Sequence, residues 1–180
     1  MQLFSLLINN YNMLVIQLKP SERAERYLIR DNIELRRLET VLNFISKYMD
    51  KRKKAEFVTI TFDIDCRKED SEYYFKSKHI CIGGISYNDK KVKTRAGRLK
   101  YLISCLIHEF RHCMQEILFN KNAKDITYGD LDVKKELDAY RNNPLEKDAN
   151  WFEQKYAVKA YNLYRFLKKC KLKNVEIFHE

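Results

Sequence analysis

The chain has 180 residues, 45 % of them apolar and 13 % aromatic, enough to bury one sizeable core and too apolar for a disordered polymer. Glycine and proline are scarce, with 4 and 2 copies, and no linker, repeat or low-complexity tract interrupts the chain, so residues 1–180 read as a single domain. The formal net charge of +10 leaves two readings, a solvated basic surface or a face that meets nucleic acid or an acidic partner; the basic clusters at 50–54, 89–100 and 165–173 carry no nucleic-acid motif.

In chain order, residues 3–8 and 13–18 are short apolar runs around an Asn-rich turn and predict two strands, as in a hairpin. This opening segment lacks a positive n-region and a small-residue cleavage site, and Asn9, Asn10, Tyr11 and Asn12 interrupt its apolar run, so it does not read as a signal peptide. Pro20 and Ser21 introduce one long helix over 22–48, with Leu28, Leu35, Leu38, Leu42 and Ile45 at largely helical spacing. The β-branched stretch at 55–64 predicts a strand, and a polar loop follows it. "HICIGGISY" at 79–87 predicts another strand. A helix is expected over 96–119, a short one over 133–140, and a long one over 145–169 after the "NNP" break; the tail "NVEIF" predicts a last strand. Strands, helix, strands and then helices make an α+β order rather than a βαβ repeat.

The five cysteines (Cys66, Cys81, Cys105, Cys113 and Cys170) are odd in number and form no C-x-x-C, which points to buried thiols in a reducing compartment. No run is long and apolar enough to span a membrane. The expectation is a cytoplasmic protein without a membrane segment.

Chemistry concentrates in "CLIHEFRHCMQ", residues 105–115, which holds two of the four histidines. His108 and His112 are four apart, so on a helix their imidazoles lie on one face, one turn apart, and both can reach a single tetrahedral Zn2+. Glu109 follows the first histidine directly. In H-E-x-x-H hydrolases that carboxylate takes a proton from the attacking water and returns it to the leaving group. The same residues on a solvated helix would mean nothing. Here Leu102, Ile103, Leu106, Ile107, Phe110 and Met114 make the helix apolar almost all round, and buried polar groups need partners.

A third ligand must come from elsewhere. Residue 118 is Leu, which removes the pattern with a third histidine; His79 and His179 suit the role less well than "YRNNPLEKDANWFEQ" at 140–154. Glu146 heads the candidates, in the first turn of a second helix packed against the first. Asp148 is next, with Asn150 and Glu153 near by, and the 125–132 loop holds further aspartates. Outside a metal site, Glu146 reads as an acid favoured by the helix dipole. For an electrophile facing a developing oxyanion, Tyr140, Tyr128 and Arg111 are candidates, with Arg111 better suited to pair with Asp148 or Glu116.

"HEFRH" followed by "PLEKDANWFEQ" resembles the gluzincin branch of the zincin metallopeptidases. Within it the chain is similar to the small ImmA/IrrE-like and phage-encoded peptidases, whose second motif reads like E-x-E-A-N-x-F-A; here E-K-D-A-N-W-F-E starts at Glu146. The resemblance covers about residues 55–160. It implies a zincin-like α+β fold, a small mixed sheet packed on an active-site helix and a second ligand-bearing helix. It also implies His108, His112 and Glu146 as zinc ligands, Glu109 as general base, a peptide or protein substrate, and a strand beside the cleft that pairs with it, for which "HICIGGISY" is the natural choice. Gluzincins such as thermolysin place an Asp four residues after the ligand Glu to orient a bound histidine; this chain has Asn150 there, or Asp148 in its stead.

Three readings follow. The first is a zinc-dependent endopeptidase. The second is a nucleic-acid-associated basic protein with the same fold, either an SprT-like protease acting on DNA-bound proteins or a non-catalytic zinc-binding module. The third is a peptide deformylase using an upstream Cys ligand, for which Cys81 lacks the expected context.

Overall fold

Alternation along the strands sets one face of the sheet. In the computed structural model, which describes residues 14–46, 56–65, 70–74, 77–88, 92–119 and 142–171, Ile16 and Leu18 are buried while Gln17 and Lys19 between and after them are exposed. These belong to β1 (Leu14–Pro20). Val58, Ile60, Phe62 and Ile64 repeat the period on β2 (Glu56–Asp65). Parallel pairing of β1 with β2 places Ile16 opposite Val58 and Leu18 opposite Ile60. Parallel pairing of β2 with β4 (His79–Gly83) places Phe62 opposite Ile80 and Ile64 opposite Ile82. All eight side chains therefore join one buried surface. Each such burial stabilises by about 1.5–3 kcal/mol relative to exposure.

The sheet has four strands in the order β1-β2-β4-β3, with β3 (Glu72–Tyr74) antiparallel to β4. Helices α1 (Glu22–Asp31), α2 (Leu35–Ser46) and α4 (Arg95–Phe119) pack on it, α3 (Gly84–Asn88) follows β4, and α5 (Pro144–Lys169) lies along α4 and α2. The architecture is mixed α+β.

Four expectations need correction, and the hairpin at 3–8 and 13–18 is not one of them, since its first strand lies outside the described residues. The partner of β1 among the described residues is β2, in parallel, reached through α1 and α2; residues 3–8, the proposed hairpin partner, lie outside the described residues, as do the helix over 133–140 and the tail strand. The outer edge of β1 is covered by side chains of α2. Asn43 accepts from Ile16 N at 2.7 Å and donates to Ile16 O at 3.1 Å, and Glu39 accepts from Leu18 N at 2.9 Å.

The single helix over 22–48 is two helices. Asn32 adopts a left-handed conformation (φ 54°, ψ 46°), its N–H donates to Ile29 O, and Ile33 N donates to Leu28 O at 2.8 Å. This is a Schellman stop, with buried Ile33 and Leu28 as its apolar pair. Asparagine tolerates that conformation where most residues do not. Helical periodicity survives across the break and hides it.

The polar loop after β2 contains β3, whose three residues are too few for periodicity to register. "HICIGGISY" is a strand only to Gly83 and then turns into α3. β4 is also interior, paired with β2 on one side and with β3 across His79–Cys81 on the other, so it is not an edge onto which a peptide could add.

Candidate metal centre

No residue from 102 to 117 of α4 is exposed, because the sheet and α5 cover it. The helical spacing stacks His108 and His112 with ring centroids 5.0 Å apart, and their Nε2 atoms approach to 3.3 Å. The second helix meets them at its first turn. Asn143 caps α5 by accepting from Leu145 N at 2.8 Å, Pro144 occupies the first turn, and Glu146 follows, turned inward. Its carboxylate lies 3.4 Å from His108 Nε2 and 3.3 Å from His112 Nε2. All three residues are buried, at 9 %, 4 % and 5 % exposure.

The donor set fits a cation. Two ligands held about 2.0–2.1 Å from a tetrahedral centre are about 3.3–3.4 Å apart. The two Nε2 atoms here are 3.3 Å apart, each faces a different oxygen of Glu146 (Oε2 at 3.4 Å for His108, Oε1 at 3.3 Å for His112), and one ligand atom from each residue lies within 4.8 Å of the others. The far side of each imidazole determines which nitrogen faces inward. Gln115 spends its amide N–H groups on Leu145 O at 2.9 Å and Asp148 Oδ2 at 2.8 Å, so its oxygen faces His112 Nδ1 at 2.8 Å and must accept. His112 Nδ1 therefore carries the proton, and neutral His112 presents a lone pair at Nε2. His108 Nδ1 faces Glu153 Oε2 at 3.2 Å, while Ser104 Oγ donates to the other oxygen of that carboxylate. Two nitrogen lone pairs and a carboxylate thus converge on one point, an arrangement that requires a proton or a metal between them. The described residues form one buried group, His108, His112 and Glu146, that can hold a metal ion.

Without a metal, a proton serves. Burial opposes the charged imidazolium of His108, but Glu146 and Glu153 outweigh it and push the group up to about 10. Glu109, 4 % exposed, is pushed up to about 7 by burial, with His108 and His112 pulling it back and Glu146 and Glu72 adding to the rise. Burial also works against the Glu153 carboxylate, yet His108 and Ser104 hold it below the ordinary range.

Arg111 is committed elsewhere. Its Nε and Nη2 donate to Asp148 at 2.7 and 3.2 Å, and its guanidinium lies 5.2 Å from the Phe152 ring centroid. Asp148 is held below its usual value by Arg111 and Gln115, against the effect of burial. The Arg111–Asp148 pairing matches the sequence expectation and removes both residues from the metal and electrophile roles. Orientation of the imidazoles falls to Glu153 and Gln115, not to Asn150 or directly to Asp148. Glu153 lies two turns after Glu146 on the same helical face, and Gln115 lies one turn after His112 as an amide amid apolar residues. Those spacings were the available signal. His79 stays on the sheet, its Nδ1 2.9 Å from Thr61 Oγ1. Cys81 is buried and is not part of this group, so among the described residues the deformylase alternative has no cysteine ligand there. Tyr140, Tyr128, His179 and the 125–132 loop lie outside the described residues.

The chain matches no protein-family model, and neither a curated protein nor a solved structure matches it significantly. No described helix is long and apolar enough to cross a membrane.

Proposed function

We propose that this chain is a zinc-dependent metallopeptidase with a zincin-like fold, cleaving peptide bonds in a peptide or protein substrate. One observation carries the reading: two imidazoles from α4 and a carboxylate from α5 converge, one ligand atom from each within 4.8 Å of the others, beside a buried glutamate, Glu109. Two nitrogens and one carboxylate suit zinc better than magnesium or calcium, which prefer all-oxygen sets. Three protein ligands, rather than four, are the catalytic arrangement.

A zinc ion bound there supplies Lewis-acid polarisation of the scissile carbonyl and makes water nucleophilic near neutral pH. Glu109 accepts the proton of the attacking water and returns it to the leaving amine. Glu153 and Gln115 hold the imidazoles in the tautomer that turns Nε2 inward. The Arg111–Asp148 pair and the Gln115 bond to Leu145 O tie the first turn of α5 to α4 and so position Glu146. Four thiols outside any disulfide (Cys81, Cys105, Cys113 and Cys170) fit a reducing, cytoplasmic setting.

Metal analysis and hydrolysis of an unfolded protein substrate test this together. The expected result is about one zinc per chain, most of it lost in Glu146→Ala. Glu109→Gln is expected to keep the metal and lose about 100-fold or more in turnover. Full zinc in Glu146→Ala would overturn the ligand assignment. Near-parental turnover in Glu109→Gln would overturn the role of the base.

A further inference from the structure

The acids of α5 are Glu146, Asp148 and Glu153, and none of them is exposed. Its outward positions carry Lys147, Lys155, Lys159, Arg165 and Lys169, all exposed. At about 100° per residue these five fall within an arc of about 120°, along about 33 Å of helix. A helix face that is merely solvated mixes charge signs, and this one has a single sign. None of the five makes an ion pair with a described residue.

Aromatic rings interleave with the cations. Trp151 and Phe166 are 55 % and 57 % exposed on the same face. Lys155 Nζ lies 4.4 Å from the Trp151 ring centroid. Lys159 and Arg165 rest over the buried rings of Tyr156 and Tyr161, at 5.5 and 5.7 Å, so Trp151 and Phe166 are the rings open to a base. The exposed apolar side chains Trp151, Val158 and Phe166 are seven and eight residues apart, about 10–12 Å each, with cations between them. That leaves no continuous apolar strip to enter a bilayer. Spaced cations for phosphates, with flat rings between them for bases, are what a single strand of nucleic acid requires. A duplex keeps its base faces stacked and has no use for the rings.

The geometry points to the outer face of α5 as a binding surface for single-stranded nucleic acid, with the cation row along the phosphates and Trp151 stacked on an unpaired base. This goes beyond the peptidase reading and does not depend on it, since the face lies on the opposite side of α5 from Glu146 and Glu153.

Trp151 is the only tryptophan of the chain, so its fluorescence reports this face alone. The full-length protein is titrated with a thymidine oligonucleotide at low salt, then at rising salt, alongside a duplex and vesicles rich in phosphatidylserine. Quenching of Trp151 fluorescence is expected, with log K falling against log [salt] at a slope of about −3 for four to five phosphate contacts. Lys155→Glu/Lys159→Glu, and independently Arg165→Glu, are expected to weaken binding about tenfold or more and flatten the slope, with circular dichroism unchanged because these side chains are exposed. Glu109→Gln is expected to bind as the parent does, which separates this surface from the metal centre. Absence of quenching at low salt, parental binding by both charge-reversed variants, tighter binding to duplex than to single strand, or binding to vesicles alone would each overturn the proposal.

Discussion

Two buried clusters of ionisable groups lie along α4, and they are built on opposite logic. Near its start, Asp31 is buried with donors on every side. Oδ1 accepts from Arg98 Nη2 at 2.7 Å and Arg30 Nε at 3.2 Å. Oδ2 accepts from Arg98 Nε at 2.8 Å, Arg30 Nη2 at 2.9 Å and Tyr87 Oη at 2.6 Å. Donors meet an acceptor, and the cluster is complete in itself. In the middle of the helix, His108, His112 and Glu146 turn acceptors toward one another, and the cluster is complete only with an added cation or proton. A buried carboxylate lies at the centre of each. The direction of the donors separates a structural knot from a site for a ligand.

The largest expected effect breaks the first cluster. Asp31→Ala leaves two guanidiniums without their carboxylate and should cost about 3 kcal/mol, toward the low end for a buried pair, because Arg30 remains 45 % exposed. Urea unfolding measures it. A loss below about 1 kcal/mol would show the cluster to be no more than a surface ion pair.

The same cluster sets a pH dependence. Burial raises the Asp31 carboxyl, but the donors from Arg98, Arg30 and Tyr87 outweigh it and hold it well below the ordinary carboxylate range. A depressed folded value means the stabilisation is present above the unfolded value of about 3.9 and is lost as pH falls from there through the folded value. Urea midpoints between about pH 6 and pH 2 should therefore drop more steeply in the parent than in Asp31→Asn. Equal slopes would assign the acid sensitivity to other carboxyls.

Zinc should sharpen the contrast. At about 100 times its dissociation constant a ligand of the folded state adds about 2.7 kcal/mol. Thermal unfolding of the parent and of Asp31→Asn should shift upward with zinc, while Glu146→Ala should not respond. An equal shift in all three would place the zinc elsewhere on the chain.

The smallest effect concerns orientation. Gln115→Leu removes the acceptor that fixes His112, and chelator competition should show zinc affinity about 10–100-fold weaker. Glu153→Gln should lose less, since an amide oxygen still accepts from His108 Nδ1. An unchanged affinity in Gln115→Leu would mean that packing alone orients the ring.

What was legible in the sequence was local. Four-residue spacing on a helix apolar all round places His108 and His112 together under cover whatever the rest of the chain does. Asn143 and Pro144 start α5 where Glu146 falls in its first turn. The rough alternation at 55–64 names the core face of β2 before any partner is known, while 13–18 shows only an apolar run. Tertiary structure alone decided the rest, because it depends on residues that meet from far apart. Gln115 and Glu153 become partners of the imidazoles only once α4 and α5 lie side by side; residue type led to the expectation that Arg111 would meet Asp148 or Glu116, and that packing selects Asp148. The placement of β3 outside β4, which closes the strand expected to receive a peptide, follows from pairings across the sheet that no period in the chain encodes. The break at Asn32 rests on backbone handedness, which leaves the apolar spacing on either side unchanged.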